Sequence, residues 1–101
     1  MTAAPDYARQ ALRDLEQIGD TIAIDNPRRA ISFVRDIREH CRRLAARPRM
    51  HRPRLEFGDG IRVAPHGATL IFYAERAEGL VVIERVLHGS RDLGPLLDPP
   101  D

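Results

Sequence analysis

Nine residues near the C-terminus concentrate the side chains best suited to chemistry: Arg85-Val86-Leu87-His88-Gly89-Ser90-Arg91-Asp92-Leu93. They follow an apolar run at residues 80–83 that predicts a strand. The chain therefore leaves a strand and presents two arginines, a histidine and an aspartate around a glycine. Because loops held by a rigid scaffold carry function more often than other segments, we predict a working surface at this strand end.

Two earlier side chains, Arg62 and Tyr73, fall on the strands predicted before this run. If Arg62 and Arg85 lie on neighbouring strands, with His88 at the strand end, they form a cationic cup. Such a cup could bind a partner. It could also act as a ribonuclease centre, in which arginines stabilise a phosphorane-like transition state and His88 or Tyr73 transfers the proton.

The end of the stretch has a functional and a structural interpretation. Arg91 is a further candidate for the cup, but Arg91 and Asp92 could instead brace the turn after Gly89. We favour the structural role for Asp92, because short acidic side chains accept hydrogen bonds from nearby turn amides. For Arg62 and Arg85 we favour a partner-facing role, since an arginine on a strand must find an anion or water.

Positive charge is concentrated in the middle of the chain, although the net charge of the 101 residues is only +1. Between Arg28 and Arg54, ten arginines stand against Asp36 and Glu39 alone. This block predicts steering of an acidic partner; the alternative is a solvated helix face. With near-neutral overall charge and no evident recognition helix, sequence-specific nucleic-acid binding is not expected. The candidate binding residues of the block are Arg42, Arg49 and Arg52.

The remaining reactive side chains do not form a motif. Cys41 is the only cysteine, which excludes an internal disulfide, and its apolar helical position predicts a small core residue. The histidines lack the spacing of metal ligands, so we expect neither a metal nor a cofactor. The absence of a signal segment or a membrane-length apolar run predicts a cytoplasmic protein without a membrane partner. The histidines are His40, His51, His66 and His88.

Two amphipathic helices are predicted in the first half of the chain, at residues 8–24 and from Pro27 to before Pro48. Asn26 suits the N-cap of the second helix and Pro27 its first position. Such a short link predicts an antiparallel hairpin. The predicted apolar faces consist of Ala8, Ala11, Leu12, Leu15, Ile18 and Ile22 in the first helix, and Ala30, Val34, Ile37, Cys41 and Leu44 in the second.

Three strands are predicted after an irregular connection rich in Pro, Arg and Gly at residues 48–60: 61–64, 69–73 and 80–88. Turns are expected at Pro65-His66-Gly67 and at residues 75–79. Short links predict an antiparallel meander. The runs 70–73 and 80–83 lack clean alternation, so both sheet faces should be at least partly covered: one by the helices, the other by the C-terminal tail or a partner.

The predicted fold class is α+β: an N-terminal helical hairpin (about 8–46) packed on a small antiparallel sheet (about 61–88). A short tail, residues 89–101, completes a single domain over residues 1–101.

This order of elements, ending in "RVLHGxRDL", resembles the ParE branch of the RelE/ParE toxin superfamily over about residues 8–97. Residues 11–18 resemble its "A-x-x-DLxxI" helix, and residues 41–50 its "C-x-x-LA-x-x-P-x-M". Ile22-Ala23 with Asp25-Asn26-Pro27 resembles "YIAxDNP", and Phe33-Val34 the family's "FV". Gly60-Ile61-Arg62 matches "G-[LI]-R" and Leu70-Ile71-Phe72-Tyr73 matches "LIFY". The family normally opens with an edge strand, for which residues 1–6 are a poor candidate.

The resemblance implies a toxin that binds DNA gyrase, traps its cleaved DNA complex and is neutralised by a ParD-like antitoxin. An acidic segment of that antitoxin would suit the arginine block, and no catalytic residue would be required. The alternative is a ribosome-dependent messenger ribonuclease of the RelE branch, using His88, Tyr73, Arg62 and Arg85; the chain lacks the Lys/Arg cluster of such enzymes. A third alternative is a non-toxic domain that only binds an antitoxin.

Overall fold

The computed structural model describes residues 4–89. Within these residues, helices and strands follow the order of an α+β fold, and the predicted fold class is confirmed. The elements are β1, Asp6–Tyr7; α1, Arg9–Ala23; α2, Pro27–Ala46; β2, Ile61–His66; β3, Thr69–Glu75; and β4, Val81–His88.

The helical hairpin forms because an N-cap residue and a proline separate its two helices. The Asn26 side chain accepts a hydrogen bond from the backbone N–H of Arg29 at 3.0 Å, and Pro27 opens α2. Such a cap stabilises a helix by about 1 kcal/mol. The second helix ends at Ala46, before Pro48, so the predicted cap and end are both confirmed.

The two helices pack their apolar faces onto the sheet, with one exception to the prediction. Leu15 and Ile37 are buried in the main core, where a fully buried Leu or Ile contributes about 1.5–3 kcal/mol. Leu12, expected to widen the apolar face of α1, is instead 42% exposed. The buried polar residue of this helix is Asp14, at 4% exposure.

The sheet has the strand order β1-β4-β3-β2, so β3 lies between β2 and β4. The pairs β2–β3 and β3–β4 are antiparallel, which confirms the predicted meander. An additional strand, β1, pairs in parallel with β4 through Asp6 and Tyr7 opposite Val82 and Ile83. The sheet is therefore mixed, and its short edge strand begins at the last residue of the segment that we judged a poor candidate.

Both faces of the sheet are at least partly covered, as predicted, and the connection after α2 contributes to the cover of the second face. Ile71 and Ile83 pack against the helices, whereas Phe72 and Leu87 belong to a second cluster. That cluster is closed by Phe57, from a 3-10 turn in the connection, whose ring meets Phe72 edge-on at 5.3 Å. The tail that we expected to cover this face lies outside the described residues, so that expectation stays a prediction.

The turn between β2 and β3 is tighter than predicted. Pro65 and His66 continue β2 instead of forming the turn, which consists of Gly67 and Ala68. Pro65 is tolerated because β2 is an edge strand, where a missing N–H need not break the ladder. Gly67 adopts a positive φ of 60°, which explains a glycine at this position.

Candidate functional site

The centre of the predicted working surface is an ion pair between a strand and a helix. Arg85 on β4 donates to the Asp14 carboxylate of α1 through Nε at 2.8 Å and Nη2 at 3.2 Å. The Arg85 side chain is 20% exposed and that of Asp14 only 4%. This two-point contact is among the stronger hydrogen-bonded ion pairs that proteins form.

Asp14 also satisfies the backbone of the sheet. Edge strand β1 pairs with β4 only as far as Ile83, so β4 continues beyond its neighbour. The Asp14 carboxylate accepts the Val86 N–H at 3.0 Å, and the Gln10 amide adds a longer contact at 3.3 Å. A helix side chain thus takes the place of a missing strand partner. The available sequence signal was an acidic residue between Ala11 and Leu15 on an apolar helix face.

Arg62 and Tyr73 are also bound within the chain. Arg62 donates from Nη1 to the carbonyl of His51, and the Tyr73 hydroxyl donates to the carbonyl of Pro48 at 2.8 Å. Burial raises the pKa of Tyr73 above its usual value, and the nearby Arg62 opposes this shift. Together the two side chains anchor residues 48–51, which follow α2, to the sheet.

The predicted cationic cup is wrong in its strand arrangement. Arg62 lies on β2 and Arg85 on β4, and β3 separates them. Arg62 stands opposite Tyr73 in the ladder, whereas Arg85 stands opposite Phe72 and is bound to Asp14. In a meander, consecutive strands are neighbours, so the strand predicted at residues 69–73 already separates the strand of Arg62 from the strand of Arg85. The expectation that these two arginines lie on neighbouring strands did not take this middle strand into account.

The end of the working surface is only partly described. His88 is the last residue of β4 and is exposed. Arg91 and Asp92 lie outside residues 4–89, so the roles assigned to them stay predictions.

The arginine block forms an exposed surface on α2 and the loop that follows. Arg42 pairs with Glu39, and hydrogen bonding to Arg42 lowers the pKa of that carboxyl. Arg49 pairs with Glu75 at 3.0 Å. Other exposed arginines have no ion pair among the described residues: Arg28, Arg35, Arg38, Arg43, Arg47 and Arg52.

Beside this surface, the outer side of the helical hairpin contains a groove of about 810 Å³. Its lining includes Leu12, 42% exposed, and Ile31, 70% exposed. Arg35, Arg38 and Arg42 also line it. The groove therefore combines apolar side chains with positive charge, a combination that binary patterning of each helix alone did not reveal.

Residues 4–89 were predicted to contain a buried cysteine and no cluster of metal ligands. No three His, Cys, Asp or Glu side chains in this part are grouped to hold a metal ion. Cys41 is fully buried, as predicted for a core residue. None of the helices described is long and apolar enough to span a bilayer. Two histidines that showed no motif spacing, His40 and His66, nevertheless come into contact.

The arrangement of a helical hairpin on a small mixed sheet has a solved counterpart. A chain described as "Chromosomal ParDE TA system from P. aeruginosa" matches with a TM-score of 0.72 and 20% identity, covering 86% of this chain and 96% of that chain. At this identity the likeness concerns the fold. A search of curated proteins finds no match.

The family is defined by the sequence itself. The family model described as "ParE toxin of type II toxin-antitoxin system, parDE" matches residues 6–93. This match includes α1, α2 and all the strands described above. The chain belongs to the ParE toxin family of type II toxin–antitoxin systems.

Proposed function

We propose that this chain is a cytoplasmic toxin that inhibits DNA gyrase by binding it, traps the cleaved DNA complex, and is neutralised by a ParD-like antitoxin. The observation that carries the non-enzymatic part of the proposal is the internal use of three of the four candidate catalytic side chains. Arg85, Arg62 and Tyr73 each make a hydrogen bond within the chain. A transition-state cation must instead be directed at the reacting phosphate.

The target contact is assigned to the exposed end of β4. His88 ends this strand, and Arg91 follows it in the sequence. Arg85 would contribute by holding the strand end against α1 through Asp14. This division separates residues that touch the target from residues that hold the surface in place.

Neutralisation is assigned to the groove of the helical hairpin and the adjoining arginines. An antitoxin segment with apolar and acidic side chains would place the former against Leu12 and Ile31. Its carboxylates would then meet Arg35, Arg38 and Arg42 at the groove, and Arg49 and Arg52 further along. Complementary charge accelerates association and favours the correct partner.

Gyrase poisoning is tested by inducing the chain in bacteria and pulse-labelling DNA and protein synthesis within minutes. Early loss of DNA synthesis with translation intact is expected. Purified chain, gyrase and supercoiled plasmid should also yield linear DNA after denaturation, which marks trapped cleavage complexes. Immediate loss of translation, with no linear DNA, would instead identify a ribonuclease.

Arg91→Ala is the preferred variant for the target surface. It should reduce the yield of linear DNA, with unchanged helix content by circular dichroism. Arg85→Ala is less informative, because it would leave the buried Asp14 carboxylate without its cation. Arg13→Ala removes an exposed arginine of α1 that belongs neither to the end of β4 nor to the lining of the groove, and it serves as a control. Full activity of Arg91→Ala would remove Arg91 from the proposed surface.

Antitoxin binding is tested by measuring affinity against salt concentration, using the ribbon-helix-helix protein encoded beside this chain, if present. Affinity should fall as salt rises, because exposed charge pairs are screened. Salt-independent affinity would assign the binding energy to the apolar part of the groove alone.

A further inference from the structure

An unexpected contact joins two histidines that are distant in sequence. Nδ1 of His40, on α2, lies 2.9 Å from Nδ1 of His66, the last residue of β2. Their ring centroids are 5.1 Å apart. The His66 ring also meets Phe33 nearly perpendicularly, with centroids 5.8 Å apart. Both histidines are half-buried, and neither belongs to the surfaces assigned above.

This contact depends on the number of protons that the pair carries. Two Nδ1 atoms form a hydrogen bond only when one is protonated and the other offers a lone pair. The pair can take up one additional proton and keep this bond. With both rings fully protonated, two N–H groups and two positive charges face each other, and the contact is lost.

The surroundings oppose that last proton. Burial is the largest cause that holds the pKa of His40 below 6.5, followed by the neighbouring His66, Arg43 and His51. Arg43 lies on α2 and His51 in the loop after it. On the strand side, His88 of β4 occupies the register position across β3 from His66. The neighbouring groups that lower the pKa of His40 are thus one arginine and two other histidines, and no carboxylate is among them.

The pair stands beside a turn that holds the exit from the sheet. His66 immediately precedes the Gly67-Ala68 turn, and the Ala68 carbonyl accepts the Gly89 N–H at 2.7 Å. A Cβ at position 89 would lie 3.1 Å from this carbonyl, so the approach suits a glycine. We propose that the His40–His66 pair is a pH-sensitive latch that holds the turn, and through it the backbone at Gly89, against α2.

Acid opens the latch and neutral pH closes it. Because the pKa of His40 is lowered in the folded protein, the stabilisation is complete above about pH 6.5. This stabilisation is lost as the pH falls from 6.5 through the lower pKa that His40 has in the folded protein. For one linked proton, the opening equilibrium rises by up to about tenfold per pH unit in this range. This behaviour is independent of whether gyrase is the target.

The contact itself is tested by nitrogen NMR on the full chain with EDTA present. A through-bond coupling between the two Nδ1 atoms is expected at pH 7.5 and should disappear on acidification, while the protein remains folded. Its absence at pH 7.5 would overturn the proposal. This measurement needs no variant, so it decides the matter even if a substitution impairs folding.

The mechanical consequence is tested by hydrogen exchange of the Gly89 amide between pH 7.5 and 5, corrected for intrinsic exchange. Exchange in the unaltered chain should rise by up to about tenfold per pH unit below pH 6.5. In His66→Asn, whose amide can hydrogen-bond but not titrate, this rise should be absent. The control His88→Asn removes a histidine outside the pair and should retain the rise. An equal rise in His66→Asn would overturn the proposal.

Discussion

Arginines of the sheet and arginines of α2 have opposite environments. Arg62 and Arg85 are half-buried and donate to acceptors within the chain. Arg35 and Arg52 are exposed and have no ion pair among residues 4–89. A half-buried guanidinium needs a partner to offset its desolvation, whereas an exposed one stays hydrated and available. The same residue type therefore supports the fold in one region and offers charge to a partner in the other.

The two regions also differ in what their contacts stabilise. Contacts at Asp14 join α1 to β4 across 71 residues of sequence, so they act on the whole fold. Contacts of the groove lie on one side of the helical hairpin and leave apolar atoms in water. Substitutions in the first region should change the free energy of unfolding, and substitutions in the second should change binding.

The largest effect is expected for Asp14→Ala. It leaves Arg85 without its carboxylate and the Val86 N–H without its acceptor, and loss of one member of a buried pair costs about 3–5 kcal/mol. Urea denaturation measures the loss. Asp36→Ala, which breaks the exposed 4.0 Å contact with Arg29, should cost less than about 0.5 kcal/mol. Equal costs would contradict the distinction between the two regions.

A large effect on binding, with little effect on stability, is expected for Ile31→Asp. The new carboxylate would lie in the groove and repel an acidic antitoxin segment, so affinity should fall about 10- to 100-fold. Titration calorimetry with the antitoxin measures this change. The matched control is Ile24→Asp, 82% exposed and outside the groove lining. Similar loss in both variants would place the antitoxin elsewhere.

A smaller effect on stability is expected for Tyr73→Phe. The variant loses the hydrogen bond to the Pro48 carbonyl, which costs about 1 kcal/mol. Because we assign Tyr73 to the fold, toxicity in bacteria should persist when the variant is folded. Complete loss of toxicity in a folded protein would restore Tyr73 as a catalytic candidate.

A last effect, confined to alkaline solution, concerns the stability contribution of Tyr7. Burial raises its pKa to about 12, with further contributions from Cys41. A raised folded-state pKa adds stability that is complete below about pH 10 and lost as the pH rises toward 12. Tyr7→Phe should reduce this loss, as measured by denaturation at pH 9 and pH 11. If Tyr7→Phe loses as much stability between pH 9 and pH 11 as the unaltered chain, Tyr7 is not the group responsible.

The helices were predicted well because a helix begins and ends at residues that can be recognised over a few positions of sequence. Asn26-Pro27 combines a cap with a proline at the first helical position, and Pro48 follows the end of α2. The three predicted strands of the meander are all present, but the turn predicted at residues 65–67 begins later, at Gly67. Edge position, which tolerates Pro65 in a strand, is a property of the assembled sheet.

Long-range partners account for what pattern analysis missed in the site. Asp14 and Arg85 are separated by 71 positions, and His40 and His66 by 26, so neither pair has a sequence spacing to recognise. The cup of Arg62 and Arg85 failed for a different reason, because the meander that the sequence itself predicts places β3 between their two strands.

By itself, the sequence determined the helical hairpin, the meander, the arginine-rich character of α2 and, through its motifs, the family. These properties depend on periodicity, capping and residue type, which act over a few positions. Only the tertiary structure decided which charged groups are bound internally and which remain available to a partner. Packing brings distant residues together, and the cost of burying an unpaired charge then selects the contacts that form.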